Sequence, residues 1–265
     1  MKKQSLIPLF GAALLVTGVA CQRTDTKSTV EFEKFNAVQT FRLDGSASVV
    51  GSAEDIGFRC TANMLMPVAV EAHDISSLRD SILQSAFDSS GVNTAAVAYS
   101  SMKRLAVECS GFQAVDTVLP DSVCEGLYDV EGVVSYMSDR VMSYVVTVST
   151  YAPRAAHGMS NVYYTNYDMS KGRVFGLSDL VTAEGLATLP ATLRQIAESM
   201  RGSIGETAVE GLPSDGNFYI NNGGEIVFVY QPYEVASYSQ GVIELPVPAY
   251  LISNDLTPYG KEILL

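Results

Sequence analysis

The first 21 residues decide which part of this chain folds and where. Lys2 and Lys3 form a short positive stretch, and an apolar run from Leu6 to Ala20 follows, broken only by Pro8 and Thr17. The run is shorter than the ~20 apolar residues of a permanent membrane helix and has the layout of an export signal. It closes as Gly18-Val19-Ala20-Cys21. Small residues before a cysteine suit a peptidase that cuts there and leaves the thiol to receive a diacylglycerol. Gly18 stands where a leucine is usual, with Leu15 and Val16 slightly upstream. An ordinary secretory signal with a stray cysteine is the alternative. Cys21 falls where the apolar run ends, which favours the lipoprotein reading. Residues 1–20 are then excluded from the fold, and Cys21 is the expected lipidation site. Several acyl chains there anchor stably where one does not. Residues 22–30 are polar up to Val30 and read as a flexible tether, so 21–30 is lipidated cysteine plus tether. Gln22, not an aspartate, follows the cysteine. By analogy with enteric bacteria this points to the outer membrane, with the leaflet face left open.

About 235 residues follow the tether, enough for one large or two small domains. Without Lys2 and Lys3, 15 basic residues face 29 acidic ones, a net charge of −14. Such a polyanion repels nucleic acid and anionic headgroups, and it attracts a basic partner. The plainer reading is that acidity keeps an envelope protein soluble. With Cys21 lipidated, Cys60, Cys109 and Cys124 remain, so at most one intramolecular disulfide can form. Cys109 and Cys124 are closest in sequence, and Cys60 sits in a strand-like run as a candidate buried thiol. Two histidines, His73 and His157, are a poor basis for a zinc site, and no metal or cofactor is expected. There is no GxSxG elbow, no P-loop and no HExxH.

Residues 38–50 and 56–70 pattern as two strands joined near Gly51-Ser52. Asp74 opens a helix with Ile75, Leu78, Ile82, Leu83, Ala86 and Phe87 on one face and Gly91 as its stop. A weaker helix spans 94–109, with Ala95, Ala96, Tyr99, Met102, Leu105 and Val107 as its apolar positions. Residues 130–137 and 141–151 form a hairpin around Ser138-Asp139-Arg140, with Met142, Tyr144, Val146 and Val148 toward the core. Residues 161–167 and 172–177 suggest a second hairpin. A helix at 189–201 takes Pro190 in its first turn, and the glycine-rich 203–216 reads as a mobile loop. A hairpin turns at Asn221-Asn222-Gly223-Gly224 and leads to a last strand at 241–247. Strands and helices are segregated. The predicted class is α+β, a mostly antiparallel sheet with two to three helices packed on one face.

Two segments carry a resemblance. One is Tyr151-Ala152-Pro153-Arg154-Ala155-Ala156-His157-Gly158. The other is Asn217-Phe218-Tyr219-Ile220 with the run from Ile226 through Phe228-Val229-Tyr230-Gln231-Pro232-Tyr233-Glu234-Val235-Ala236-Tyr238 to Gly241. They resemble a domain family of largely unknown function. It occurs in the extracellular part of lysozyme-sensing anti-sigma factors, beside the catalytic domain of some peptidoglycan deacetylases, and in envelope lipoproteins of Bacteroidetes-type bacteria. Residues 228–241 match that pattern closely. The first segment is looser, with Ala155 in place of the usual glycine. The resemblance covers about 150–250 well and 58–145 weakly. It implies one α+β unit built from an N-terminal half, 31–149, and a C-terminal half, 150–265. The transmembrane and deacetylase parts of those relatives have no counterpart here.

His157 either binds a ligand or locks its turn by bonding a backbone carbonyl, and the second reading is favoured because no carboxylate adjoins it in sequence. Arg154 lies close by. Tyr230, Tyr233 and Tyr238, with Glu234, form an aromatic and acidic cluster suited to a protein or sugar surface, or simply to packing. The expected function is therefore a membrane-anchored, non-catalytic binding module of the cell envelope. Its partner would be a basic lysozyme-like protein or a peptidoglycan fragment, with nucleic acid excluded. The alternative is an envelope hydrolase using His157 and a carboxylate brought near by folding.

Overall fold

The computed structural model describes residues 30–44, 56–70, 73–111 and 113–265. The expected export signal, Cys21 as the expected lipidation site, most of the expected tether and the turn expected at Gly51-Ser52 lie outside the described residues. A long hairpin starts the fold: β1 (Val30–Asp44) runs antiparallel to β2 (Gly57–Val70). The chain reaches strand structure at Val30, eight residues before the expected start. Two helices follow, α1 (Ser76–Phe87) and α2 (Thr94–Ser110), then the short edge strand β3 (Gln113–Asp116). β4 (Cys124–Met137) returns beside β2 as the parallel pair of an otherwise antiparallel sheet. β5 (Val141–Tyr151), β6 (Met159–Asp168) and β7 (Arg173–Phe175) complete it in the order β3-β1-β2-β4-β5-β6-β7.

Alternation explains how this sheet takes its helices. Phe58, Cys60, Ala62, Met64 and Met66 of β2, Tyr128 and Val130 of β4, and Met142, Tyr144 and Val146 of β5 form one core with Leu78, Ile82, Leu83 and Phe87 of α1. Each of the large apolar side chains among them contributes about 2 kcal/mol on leaving water. The α1 face is the one its periodicity announces. Its ends differ: the Asp74 carboxylate accepts the Ser76 N–H, and Asp88, at φ 49°, ends the helix ahead of Gly91. The α2 stripe is rotated from the expected one. Ala98, Ser101, Met102 and Ala106 are buried, whereas Ala95, Ala96 and Tyr99 face solvent. Small residues let α2 lie close to the sheet, and a scan for large apolar side chains misses them. Cys60 is fully buried with its thiol toward the Met102 carbonyl, and burial pushes its pKa far up. Cys60, Cys109 and Cys124 are all free thiols.

A second core forms beside β5. α3 (Leu177–Leu180), α4 (Ala183–Ser199) and α5 (Arg201–Ile204) precede a small antiparallel sheet, order β10-β9-β8. Its strands are β8 (Phe218–Ile220), β9 (Ile226–Tyr230) and β10 (Ile243–Val247), and α6 (Pro258–Leu264) follows. Val141, Phe175, Leu180, Leu193, Phe228 and Leu245 lie in this core. The start of β5 is thus buried on both faces, Met142 in one core and Val141 in the other, where simple alternation predicted an outward face. The class is α+β with a large, mostly antiparallel sheet. Among the described residues the α-helices number six and serve two cores, where two to three on one face were expected. α4 begins at the Thr182 cap, so Pro190 falls inside it and not in its first turn. Among the described residues no helix is long and apolar enough to cross a membrane.

α6 meets α3 backbone to backbone. Thr257 caps α6 by accepting the Gly260 N–H, its own hydroxyl donates to the Asp179 carbonyl, and its N–H donates to the Leu180 carbonyl. A Cβ at Gly260 would collide with the Leu180 carbonyl group. Backbone cannot yield as a side chain can, so Gly260→Ala is expected to destabilise the protein by about 3 kcal/mol in urea unfolding.

Candidate functional site

Two turns of the same design meet on one surface. In Ala152-Pro153-Arg154-Ala155 the Ala155 N–H donates to the Ala152 carbonyl at 3.0 Å. In Gln231-Pro232-Tyr233-Glu234 the Glu234 N–H donates to the Gln231 carbonyl at 3.0 Å. Each has proline second and a residue at positive φ third, 64° for Arg154 and 71° for Tyr233, which is the type II pattern. Glycine or asparagine is usual at that third position, and another residue there costs on the order of 1 kcal/mol. Among the described residues three non-glycines have positive φ, and two of them stand in these turns. The third, Asp88, ends a helix, where aspartate is tolerated.

The turns bring together side chains that lie far apart in sequence. The His157 ring stacks on Tyr238 with centroids 4.2 Å apart, and Tyr238 stacks on Tyr233 at 5.6 Å. His157 Nδ1 lies 2.9 Å from the Gly158 carbonyl, the turn-locking geometry, and so carries the proton. His157 Nε2 is left to accept a long, 3.4 Å bond from the Tyr233 hydroxyl. Neither ring nitrogen meets a carboxylate among the described residues. His157 and Arg154 are exposed, Tyr238 is half-buried, and Tyr233 is 56 % exposed. The arrangement is an exposed aromatic surface, with Arg154 exposed three residues before His157. It can stack on a partner and exchange hydrogen bonds with it.

Glu234 and Tyr230 have other duties. One Glu234 oxygen accepts the Gln231 N–H at 2.8 Å and the other the Ser214 N–H at 2.9 Å, so the carboxylate clamps the Tyr233 turn to the 203–216 segment. Nearby Asp215 is raised above the usual carboxylate range, first by burial and then by Glu234, with the Asn217 N–H opposing. Tyr230 is buried and its hydroxyl donates to the Gly211 carbonyl, apart from the exposed group. β9 is buried on both faces, so its last aromatic turns inward. The 203–216 segment, expected to be a mobile loop, is irregular but fastened by Tyr230, by Glu234 and by Ala208 N–H to the Val235 carbonyl.

Two residues that stand in the resembling segments, but are not among the candidate site residues, hold the surface in place. β7 pairs only with Asn166, Tyr167 and Asp168, so the edge of β6 near Val162 lacks a strand neighbour in the pairing. Side-chain amides take that role. Gln231 Oε1 accepts the Val162 N–H and Gln231 Nε2 donates to the Val162 carbonyl, at 3.0 and 2.6 Å. Asn217 Oδ1 accepts the Tyr164 N–H at 2.8 Å while its Nδ2 donates to Val162 at 2.6 Å. An amide carries a donor and an acceptor, as a peptide group does, and so imitates a strand. The double variant Asn217→Ala, Gln231→Ala is expected to lose about 3 kcal/mol of stability, more than the sum of single effects of about 1 kcal/mol each, because both amides donate to the Val162 carbonyl and either alone still satisfies it. Urea unfolding of all three variants measures this.

One family model matches part of the chain. Residues 178–250 match the model of DUF3298, a protein family of unknown function. The DUF3298 match contains Tyr233, Glu234 and Tyr238 and the second turn, while Arg154 and His157 precede it. Solved structures share the fold more widely. A DUF3298 family member from Bacteroides fragilis NCTC 9343 is 17 % identical, with a TM-score of 0.67 over 89 % of this chain and 96 % of that one. A DUF3298 family protein from Pseudomonas aeruginosa PAO1 is 13 % identical, with a TM-score of 0.53 over 88 % and 97 %. No curated protein matches the chain. At these identities the likeness concerns the fold alone.

Proposed function

We propose that this protein is a lipid-anchored module of the cell envelope that binds without catalysis, through the surface formed by Arg154, His157, Tyr233 and Tyr238. The observation that carries the reading is the pair of proline turns. Each holds a large, non-glycine side chain in a backbone conformation that glycine would adopt more cheaply. Strain kept at two places on one exposed aromatic surface points to selection for what those side chains touch. Tyrosine gives contact area and a hydroxyl at small entropic cost. The target is a basic, lysozyme-like protein or a peptidoglycan fragment, as the resemblance of residues 150–250 implies, and the acidic chain suits the former. Cys21 would hold the module at the outer membrane. The hydrolase alternative needs a carboxylate beside His157, and the ring has a carbonyl and a phenol instead.

Capture on immobilised lysozyme and on sacculus fragments tests this with residues 30–265. Retention on one of the two, lost in a Tyr233→Ala, Tyr238→Ala variant, is expected. Retention on neither refutes the proposed targets.

A further inference from the structure

A second feature lies on the other side of the amide clasp. Between α1 and the edge of β6 opens a cleft of ≈ 490 Å³, within the roughly 300–1,000 Å³ of small-ligand sites. It starts where β7 ends, at Phe175. Thr165 lies six residues into β6 from Met159, roughly 20 Å along an extended strand, and His157 precedes that strand, so cleft and aromatic surface are separate places.

The lining is unusual in its hydroxyls. Ser81, Ser85, Ser90, Tyr164 and Thr165 all line the cleft. None of these hydroxyls has a protein hydrogen-bond partner among the described residues. Thr165 is only 6 % exposed, yet its hydroxyl is left for whatever occupies the cleft. Ser81 and Ser85 stand one helical turn apart on α1, where serine is a poorer helix former than alanine. Phe175 and Phe218, both nearly buried, supply apolar wall, and the Tyr164 ring is backed by Tyr219 at 4.4 Å between centroids. Asp80 is the one charged side chain in the lining, and it has no ion pair among the described residues. The cleft therefore offers no cation to a phosphate or carboxylate. Its chemistry calls for a ligand with many hydroxyls, an apolar face and no negative charge.

We propose that this cleft binds a short neutral oligosaccharide. The serine and threonine hydroxyls and Asp80 exchange hydrogen bonds with sugar hydroxyls, and a sugar face packs on the partly exposed Tyr164. The proposal goes beyond the aromatic surface and stands without it. Saturation-transfer NMR and titration of the full chain with cellotriose, maltotriose and chitotriose test it. At least one trisaccharide binds with millimolar or tighter affinity. The Ser81→Ala, Ser85→Ala variant, which helix propensity favours, binds about tenfold more weakly or not at all. Binding of none of the three by the wild type overturns the proposal, as does wild-type affinity in the serine variant. Loss of sugar binding on Tyr233→Ala alone would move the sugar to the aromatic surface and overturn it too. Lysozyme capture reads only that other surface, so the two readings fail separately.

Discussion

Replacing Asp168 with alanine is expected to cost the fold about 3 kcal/mol at neutral pH, among the largest single-residue effects in the chain. The side chain is fully buried at the end of β6. One oxygen accepts from the Ser170 N–H, the Ser170 hydroxyl and the Lys171 N–H, at 2.7–2.9 Å. The other accepts from the Tyr259 hydroxyl at 2.7 Å. Tyr259 belongs to α6, and its ring lies under Lys171 Nζ at 4.0 Å and beside the Arg173 guanidinium at 4.8 Å. Asp168 therefore ties the last helix to the large sheet. Removing it strands buried donors and frees α6 together. Asp168→Asn keeps an acceptor for the turn and should recover about half of the loss.

The pH dependence gives the sign. Burial alone would raise the Asp168 pKa, but the bonds from Ser170, Tyr259 and Lys171 outweigh it and hold the carboxyl below its ordinary value. A carboxyl depressed in the folded state contributes stability above its unfolded pKa of about 3.9 and loses that contribution as pH falls through the folded value. The wild-type advantage over Asp168→Ala should be full at pH 7 and shrink below about pH 4. Urea titrations at both pH values check this. An equal gap at pH 7 and pH 3 contradicts it.

The second large effect separates stability from binding at Tyr233. Glycine is ordinarily worse than alanine by about 0.5–1 kcal/mol. At φ 71° the order should invert, with Tyr233→Gly more stable than Tyr233→Ala by about 1 kcal/mol, because only glycine escapes the clash of a Cβ at positive φ. Both variants remove the exposed ring and should weaken binding at least about tenfold, as loss of an aromatic anchor does. Thermal denaturation and a binding titration on the same two samples measure both. Equal stability, or alanine above glycine, would show that the turn is not strained as described.

Much of this was legible before the structure. The α1 stripe, the hairpin around Asp139, the Asn221–Gly224 turn and the last strand, expected at 241–247 and found at Ile243–Val247, follow from periodicity and turn chemistry. What failed was decided at long range. Alanines on α2 are buried because the sheet lies close. Pro190 sits inside α4 because Thr182 provides an earlier cap. Tyr230 points inward because β9 is covered on both sides. The site itself was half readable. His157 and the tyrosines stand out by type, but their meeting depends on β6 and the β9–β10 connection lying side by side. Asn217 and Gln231 look like ordinary polar residues until the short β7 shows which edge they complete. The two Xaa-Pro-Xaa-Xaa turns were a usable signal, since each places an unusual residue third.

Isothermal titration of lysozyme into residues 30–265, wild type beside Tyr233→Gly, tests the central claim most directly. The account predicts saturable binding by the wild type, weaker as salt rises because an acidic chain meets a basic partner. It also predicts at least about tenfold weaker binding by the folded glycine variant. Binding of equal strength by both proteins would contradict it.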